Sequence, residues 1–257
     1  MVRIRWRAVI AASILAGAVS AQELGAGPSY AENTWPTALI DRPLLLPHNT
    51  FEVQPGFAVG SDNFASLGLA FGFTSRFEID LAGAVCVSSS CPGLRQTADA
   101  AIAYAFIAEP ETNLVSAFRL GVDHALRGSS YGPALNSAFT QRFGQSFQLL
   151  VAAGASYTTA GSNGVIAQFS DYQVGFSGRL EPRFQLSRNV AIAPFVSAEV
   201  RLNGGPSAYA VPLGIRGLIS PTTRFDFGLE MRASDLTDSS TLVRSGFDVA
   251  GFVAIRI

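Results

Sequence analysis

From Thr50 onward, large apolar residues recur at every second position, and this period of two constrains the fold more than any other feature. Successive side chains of a strand point to opposite faces. Phe51, Val53, Phe57 and Val59 alternate with Glu52, Gln54, Gly56 and Ala58. Leu67, Leu69, Phe71 and Phe73 do the same against Ser66, Gly68, Ala70 and Gly72, and Phe77, Ile79, Leu81 and Val85 against Glu78, Asp80, Ala82 and Ala84. The parity returns in Thr97–Phe106, Leu114–Asp123, Pro133–Phe143, Phe147–Tyr157, Tyr172–Phe184, Val190–Arg201, Ala208–Ile219, Arg224–Ala233 and Gly246–Ile257. These are twelve segments. Most exceed the roughly 5–6 residues of a soluble strand and match the roughly 9–11 that cross a bilayer when tilted.

The two faces differ in kind. One carries Phe, Leu, Val, Ile and Tyr; the other carries Ala, Gly, Ser, Gln and nearly all the charges. Only 14 % of the chain is charged and 48 % is apolar, against about a quarter charged in ordinary globular chains. A charge facing lipid near the midplane costs about 2–4 kcal/mol, so the large apolar face must look outward and the small polar face inward. The expected fold is all-β, a 12-stranded antiparallel transmembrane β-barrel. Its connections alternate between tight turns (74–76, 144–146, 186–189, 220–223) and mostly longer loops (87–94, 125–132, 158–171, 202–207, 234–245). An even strand count leaves both ends of the barrel on the short-turn side. Aromatics gather near strand ends, as interfacial girdles require.

Residues 1–21 read as a cleaved signal peptide: Arg3, Arg5 and Arg7, an uncharged run Ala8–Val19, then Val19-Ser20-Ala21 before Gln22. Without those three arginines the 18 basic residues, all Arg, fall to 15 against 19 acids, a net charge of about −4. Such a balance argues against nucleic-acid binding. Residues 22–49 hold Pro28, Pro36, Pro43 and Pro47, so neither a long helix nor a regular strand is expected there. This proline-rich lead either lies under the barrel as a periplasmic tail or sends Trp35–Leu46 into the lumen as a plug. The barrel itself is expected over 50–257.

On these features the chain resembles the outer-membrane β-barrel proteins of Gram-negative bacteria, in the porin-like or small-solute transporter style. Trp35-Pro36-Thr37, Arg42-Pro43-Leu44 and Leu46-Pro47 resemble the segment that precedes such barrels. The resemblance implies residence in the outer membrane, contact with membrane lipid, and insertion by the outer-membrane assembly machinery. Barrels of this class usually end in an aromatic residue, whereas this chain ends in Val253-Ala254-Ile255-Arg256-Ile257.

Strand parity points ten acids inward: Glu52, Glu78, Asp80, Asp99, Asp123, Glu181, Glu199, Asp226, Glu230 and Asp248. It also points eight arginines inward: Arg119, Arg142, Arg179, Arg183, Arg201, Arg216, Arg232 and Arg256. Two outcomes are open. The charges can neutralise one another in a closed scaffold, or they can line a lumen that passes small solutes. The many inward Ala and Gly favour a lumen that is open or partly plugged. Cys86 and Cys91 are expected to bridge, because the exported compartment is oxidising and the chain has no other cysteine. Two cysteines and two histidines leave little for a metal site, and no cofactor is expected. Asp123-His124, with Ser129-Ser130, is the nearest approach to a catalytic set. Parity turns Asp123 and His124 to opposite faces, so no enzyme activity is expected. The expected function is passive solute passage. A scaffold or adhesion barrel working through loops 158–171 and 234–245 is the alternative, and a rim hydrolase is the least favoured.

The seam gives a sharp geometric expectation. The first and last strands must pair to close the barrel, which sets Glu52 beside Arg256 at the short-turn rim.

Overall fold

The structure, a computed structural model, describes residues 35–60, 63–87, 96–109, 111–125, 128–161, 172–203, 208–233 and 247–257. Residues 1–34, where a signal peptide and the first part of the lead are expected, and most of the long loops lie outside these residues. Strand segments, in chain order, are β1 (Thr50–Val59), β2 (Phe64–Thr74), β3 (Phe77–Cys86), β4 (Gln96–Ala108), β5 (Thr112–Ala125), β6 (Gly128–Phe143), β7 (Phe147–Gly161), β8 (Tyr172–Ser187), β9 (Val190–Asn203), β10 (Ala208–Ala210), β11 (Leu213–Thr222), β12 (Phe225–Ala233) and β13 (Phe247–Arg256).

Consecutive strands pair with one another, β10 and β11 excepted, and all pairings are antiparallel. β10 and β11 both pair with β9 in one continuous register, Ala210↔Glu199 and Leu213↔Val196, so they are two pieces of a single stave interrupted at Val211-Pro212. The thirteen segments thus make twelve staves. β13 pairs with β1 and closes the sheet. The bonds of this seam run to the last residue: Ile257 donates to the Phe51 carbonyl at 2.9 Å and Phe51 returns a bond to Ile257 at 3.2 Å. A sheet without edges is the only β-structure that satisfies its own backbone in hydrocarbon.

The outer face is the apolar one. Phe57, Leu81, Ile102, Phe118, Leu120, Leu135, Phe176, Ile215 and Leu229 all stand exposed, a band far beyond the patches that soluble monomers tolerate. It reads as the lipid-facing surface. At the short-turn end, aromatic rings meet across strands. Phe143, Phe147 and Phe184 follow one another at 5.7 and 5.3 Å between centroids, and Phe71, Phe73 and Phe77 at 4.6 and 5.8 Å. The tight β6–β7 turn uses Gly144 at φ 75°, a conformation without penalty only for glycine.

The strands are longer than the alternation suggested. β6 and β8 each reach 16 residues, because ladder pairing continues past the apolar pattern toward the loops. The expected loop 125–132 is the largest difference. β5 and β6 pair as far as Ala125↔Gly128, which leaves only residues 126 and 127 to join them. The same register sets His124 opposite Ser129 and Asp123 opposite Ser130. Cys86 ends β3 and is disulfide-bonded; Cys91 lies outside the described residues. A bridge between the two closes a small loop, which removes little unfolded-chain entropy. Thiol titration of the denatured, unreduced protein is therefore expected to find no free thiol, and Cys86→Ser with Cys91→Ser should leave the heat-induced unfolding temperature nearly unchanged. Two titratable thiols would refute the bridge.

Candidate functional site

The interior is filled in two different ways along its axis. At the short-turn end it is filled by the lead. The chain reverses at Pro47–Thr50, where Thr50 N–H donates to the Pro47 carbonyl at 3.1 Å and Asn49 takes φ 58°. A turn with a positive φ at its third residue accepts Gly or Asn there. Upstream of this reversal the lead runs inside the barrel. Its backbone crosses directly over Gly72: a Cβ at that position would lie 2.3 Å from the Pro47 carbonyl oxygen and 2.6 Å from that of Leu46. The described part of the lead thus packs against inward-facing residues of the wall.

The wall here is made of small residues, and the lead supplies the bulk. Leu44 and Leu45 cluster with Ala103, Ala105, Val115, Ala117, Ala138 and Leu150 from β4–β7. Leu39, in a single 3₁₀ turn Leu39–Asp41, fits among Ala191, Leu218 and Phe252. Burying each such side chain contributes about 1.5–3 kcal/mol, an upper estimate because the free lead is itself partly collapsed.

Arg42 ties this segment to the wall. Its Nη1 and Nη2 donate to the two oxygens of Asp226 at 2.7 and 2.8 Å, and Nη2 also reaches Ser220 Oγ at 2.5 Å. The same guanidinium donates backward to the carbonyls of Pro36 at 3.0 Å and Thr37 at 3.2 Å, folding the lead on itself. Bidentate Arg–carboxylate pairs of this kind are among the stronger hydrogen-bonded contacts. Asp226 also accepts from Arg256, whose Nε lies 2.7 Å from Glu52. Glu52 and Arg256 face each other in the seam register, as the closure argument requires. Trp35 sits between the two arginines, its ring 4.5 Å from the Arg256 guanidinium carbon and 5.5 Å from that of Arg42. Further ties are Leu46 N–H to Glu78, Arg142 to Asp41, and Gln148 to the Ile40 carbonyl at 3.4 Å. Every one of these wall partners stands near a tight turn, which fixes the plug at the short-turn mouth.

Beyond the plug the interior is charged. On β8, β11 and β12, Arg183 contacts Glu181 at 2.9 Å, Arg179 contacts Glu181 and approaches Glu230 at 3.5 Å, and Arg216 contacts Glu230 at 2.7 Å. Arg183 also donates to Gln148 at 3.1 Å, which links this network to the plug. Arg179 stacks 3.7 Å over the inward ring of Phe195. The ring has room because its neighbour is Gly214, where a Cβ would lie 2.4 Å from it. Across the lumen Asp99 pairs with Arg119 at 3.1 Å, and Asp80 stands half-buried beside Glu78 on β3. Arg232 approaches Asp248 at 4.0 Å nearer the loop end, and Glu199 is half-buried on β9. The side chains of Asp123 and Arg201 lie outside those described. His48 is exposed beside the reversal.

Parity did not name Arg42, Ser220, Gln148 or Trp35. One signal was available: the inward acids outnumber the inward arginines, so the wall has a carboxylate to spare for a cation from outside it.

The comparisons bear on the fold. No protein-family model matches the chain, and no curated protein matches it. Solved structures do. The COG4313 outer membrane channel from Pseudomonas putida F1 superposes with a TM-score of 0.58 at 11 % identity, over 82 % of this chain and 97 % of that one. The NanC porin gives 0.56 at 10 %, over 80 % and 100 %. The KdgM porin gives 0.55 at 9 %, over 79 % and 98 %. The fold is that of the 12-stranded outer-membrane porins and channels.

Proposed function

We propose that this protein is an outer-membrane channel for passive movement of small solutes, closed at its periplasmic mouth by its own lead segment. One observation carries the reading. The wall around the mouth is lined with alanine and glycine, and the space they leave is occupied by a segment that is not part of the wall. A barrel serving only as a scaffold has no need of this division, since its own larger side chains would fill the interior. The charged belt beyond the plug suits polar or ionised solutes. The structural likeness to porins supports the same reading, and one of those structures is the KdgM porin in complex with disordered oligogalacturonate.

The test is single-channel recording in planar bilayers. The full chain is expected to show small or rare openings. Deletion of residues 35–46, with the reversal at Pro47–Thr50 kept, is expected to give steady, larger conductance from a barrel that still shows heat-modifiable migration. A deleted barrel that folds and does not conduct would defeat the proposal and favour the scaffold reading.

A further inference from the structure

The arginines whose side chains are described fall into two sets. Those that point into the lumen, and Arg42 of the lead, are buried or half-buried, and each meets a carboxylate. The other three, Arg76, Arg188 and Arg224, are exposed. Each stands on a tight turn, and no described residue pairs with its guanidinium.

The turns themselves do not use those guanidinium groups. Thr74-Ser75-Arg76-Phe77 and Thr222-Thr223-Arg224-Phe225 are one turn built twice. In each, the arginine N–H donates to the threonine Oγ1, at 3.1 and 3.2 Å. In each, the strand register slips by one residue at the same step, giving Thr74↔Phe77 and Thr222↔Phe225. In each, the arginine carbonyl accepts an N–H from a neighbouring stave, Ala105 at 3.0 Å and Arg256 at 2.9 Å. The β8–β9 turn slips likewise at Ser187↔Val190, with Arg188 one place earlier in it. Hydroxyl and backbone therefore make the turn, and the long cationic side chain is left over.

The three arginines share one side of the barrel. Around the short-turn rim the β8–β9 turn is followed by the β11–β12 turn, the β13–β1 seam and the β2–β3 turn. Adjacent turns stand two strand spacings apart, about 10 Å. The exposed acids among the described side chains are Glu109 and Glu111, and both lie on the β4–β5 turn, outside this arc. Arg142 on the β6–β7 side is turned to Asp41 of the lead. The rim is thus polarised, with three unpaired cations on one arc and two anions on another.

Exposed apolar side chains fix the height of the cations. Phe73 meets Phe77 at 5.8 Å beside Arg76, Phe225 follows Arg224, and Phe184 and Leu186 precede Arg188. Aromatic rings in such a girdle mark the border between hydrocarbon and headgroups. A residue on the turn just past them stands at the level of the lipid phosphates. The guanidinium fork matches a phosphate with two parallel N–H donors.

We propose that the arc carrying Arg188, Arg224 and Arg76 is a docking surface for anionic phospholipid in the periplasmic leaflet. Its cations hold the phosphates of lipids whose chains lie against the exposed Phe, Leu and Ile of the same staves. Each basic residue at a negative membrane surface contributes about a fivefold preference. The inference needs only the barrel in its membrane and is independent of solute passage.

The test measures lipid association at the barrel surface. The full chain is reconstituted in phosphatidylcholine bilayers with a trace of spin-labelled lipid, and electron spin resonance gives the fraction of label held by the protein. Phosphatidylglycerol is expected to be held several-fold more than phosphatidylcholine. The preference should collapse at about 1 M salt, where screening reaches about 3 Å. Arg76→Gln with Arg188→Gln and Arg224→Gln should abolish it while heat-modifiable migration is kept. Glu109→Gln with Glu111→Gln should leave it in place. No preference in the wild type, a preference that salt does not weaken, or equal preference in the wild-type and triple-glutamine chains overturns the proposal. In the last case, retention on isolated peptidoglycan that only the wild type shows would assign the arginines to the cell wall instead.

Discussion

Arg42→Ala is expected to release the plug. The substitution removes the partner of a buried carboxylate and at once frees the carbonyls of Pro36 and Thr37 and the hydroxyl of Ser220. Breaking one side of a buried ion pair costs about 3–5 kcal/mol. Arg256 remains beside Asp226 and offsets part of that cost, so the lower end applies. Even then the docking equilibrium shifts toward release by about a hundredfold. Leu44 is a suitable reporter, since it is 1 % exposed with the plug in place. In a Leu44→Cys background, a membrane-impermeant maleimide should label slowly when Arg42 is present and rapidly when it is alanine. Conductance should rise in parallel. Asp226→Ala alone should be worse than Arg42→Ala, because it leaves Arg42 and Arg256 facing each other without their shared acid. The double variant should show the two effects to be far from additive. Unchanged labelling and unchanged conductance in Arg42→Ala would show that the apolar contacts alone hold the plug.

Gly72→Val is expected to give the same phenotype by a different cause. Valine suits a strand, and the β2 ladder needs no glycine for its own sake. The obstacle is the lead: the new Cβ would fall 2.3 and 2.6 Å from two backbone carbonyl oxygens of Leu46 and Pro47. Backbone cannot rotate away as a flexible side chain can. Overpacking of this kind typically costs about 1–3 kcal/mol and more where backbone must move. Asn49 N–H also bonds the Gly72 carbonyl at 2.7 Å, so the reversal is displaced together with the segment. Barrel folding should survive, as read by heat-modifiable migration, while the Leu44→Cys reporter becomes accessible. Gly178→Val is the control, since its added Cβ would approach nothing closer than 3.9 Å. A plug still protected in Gly72→Val would mean that the lead can take another path across β2.

The twelve staves, the outward apolar face and the meeting of Glu52 with Arg256 were legible in the sequence because they are local or follow from closure. Side-chain direction in a strand is set by parity, lipid excludes charge from one face, and a barrel cannot leave an edge open. The length of β6 was not legible, because pairing between Ala125 and Gly128 depends on a partner strand and not on alternation. The interruption between β8 and β9, where pairing stops at Leu180↔Val196 and resumes at Phe184↔Ile192, was visible only as Pro182 and Pro194; their being opposite is a fact of register. The plug was the least legible. Parity says which side chains point into the lumen and nothing about which staves share a layer, or what fills the space between them. Arg42 meets Asp226 across 184 positions of sequence. The alternation determined the wall; what occupies the lumen was decided by contacts between a segment without any period and a wall that left room for it.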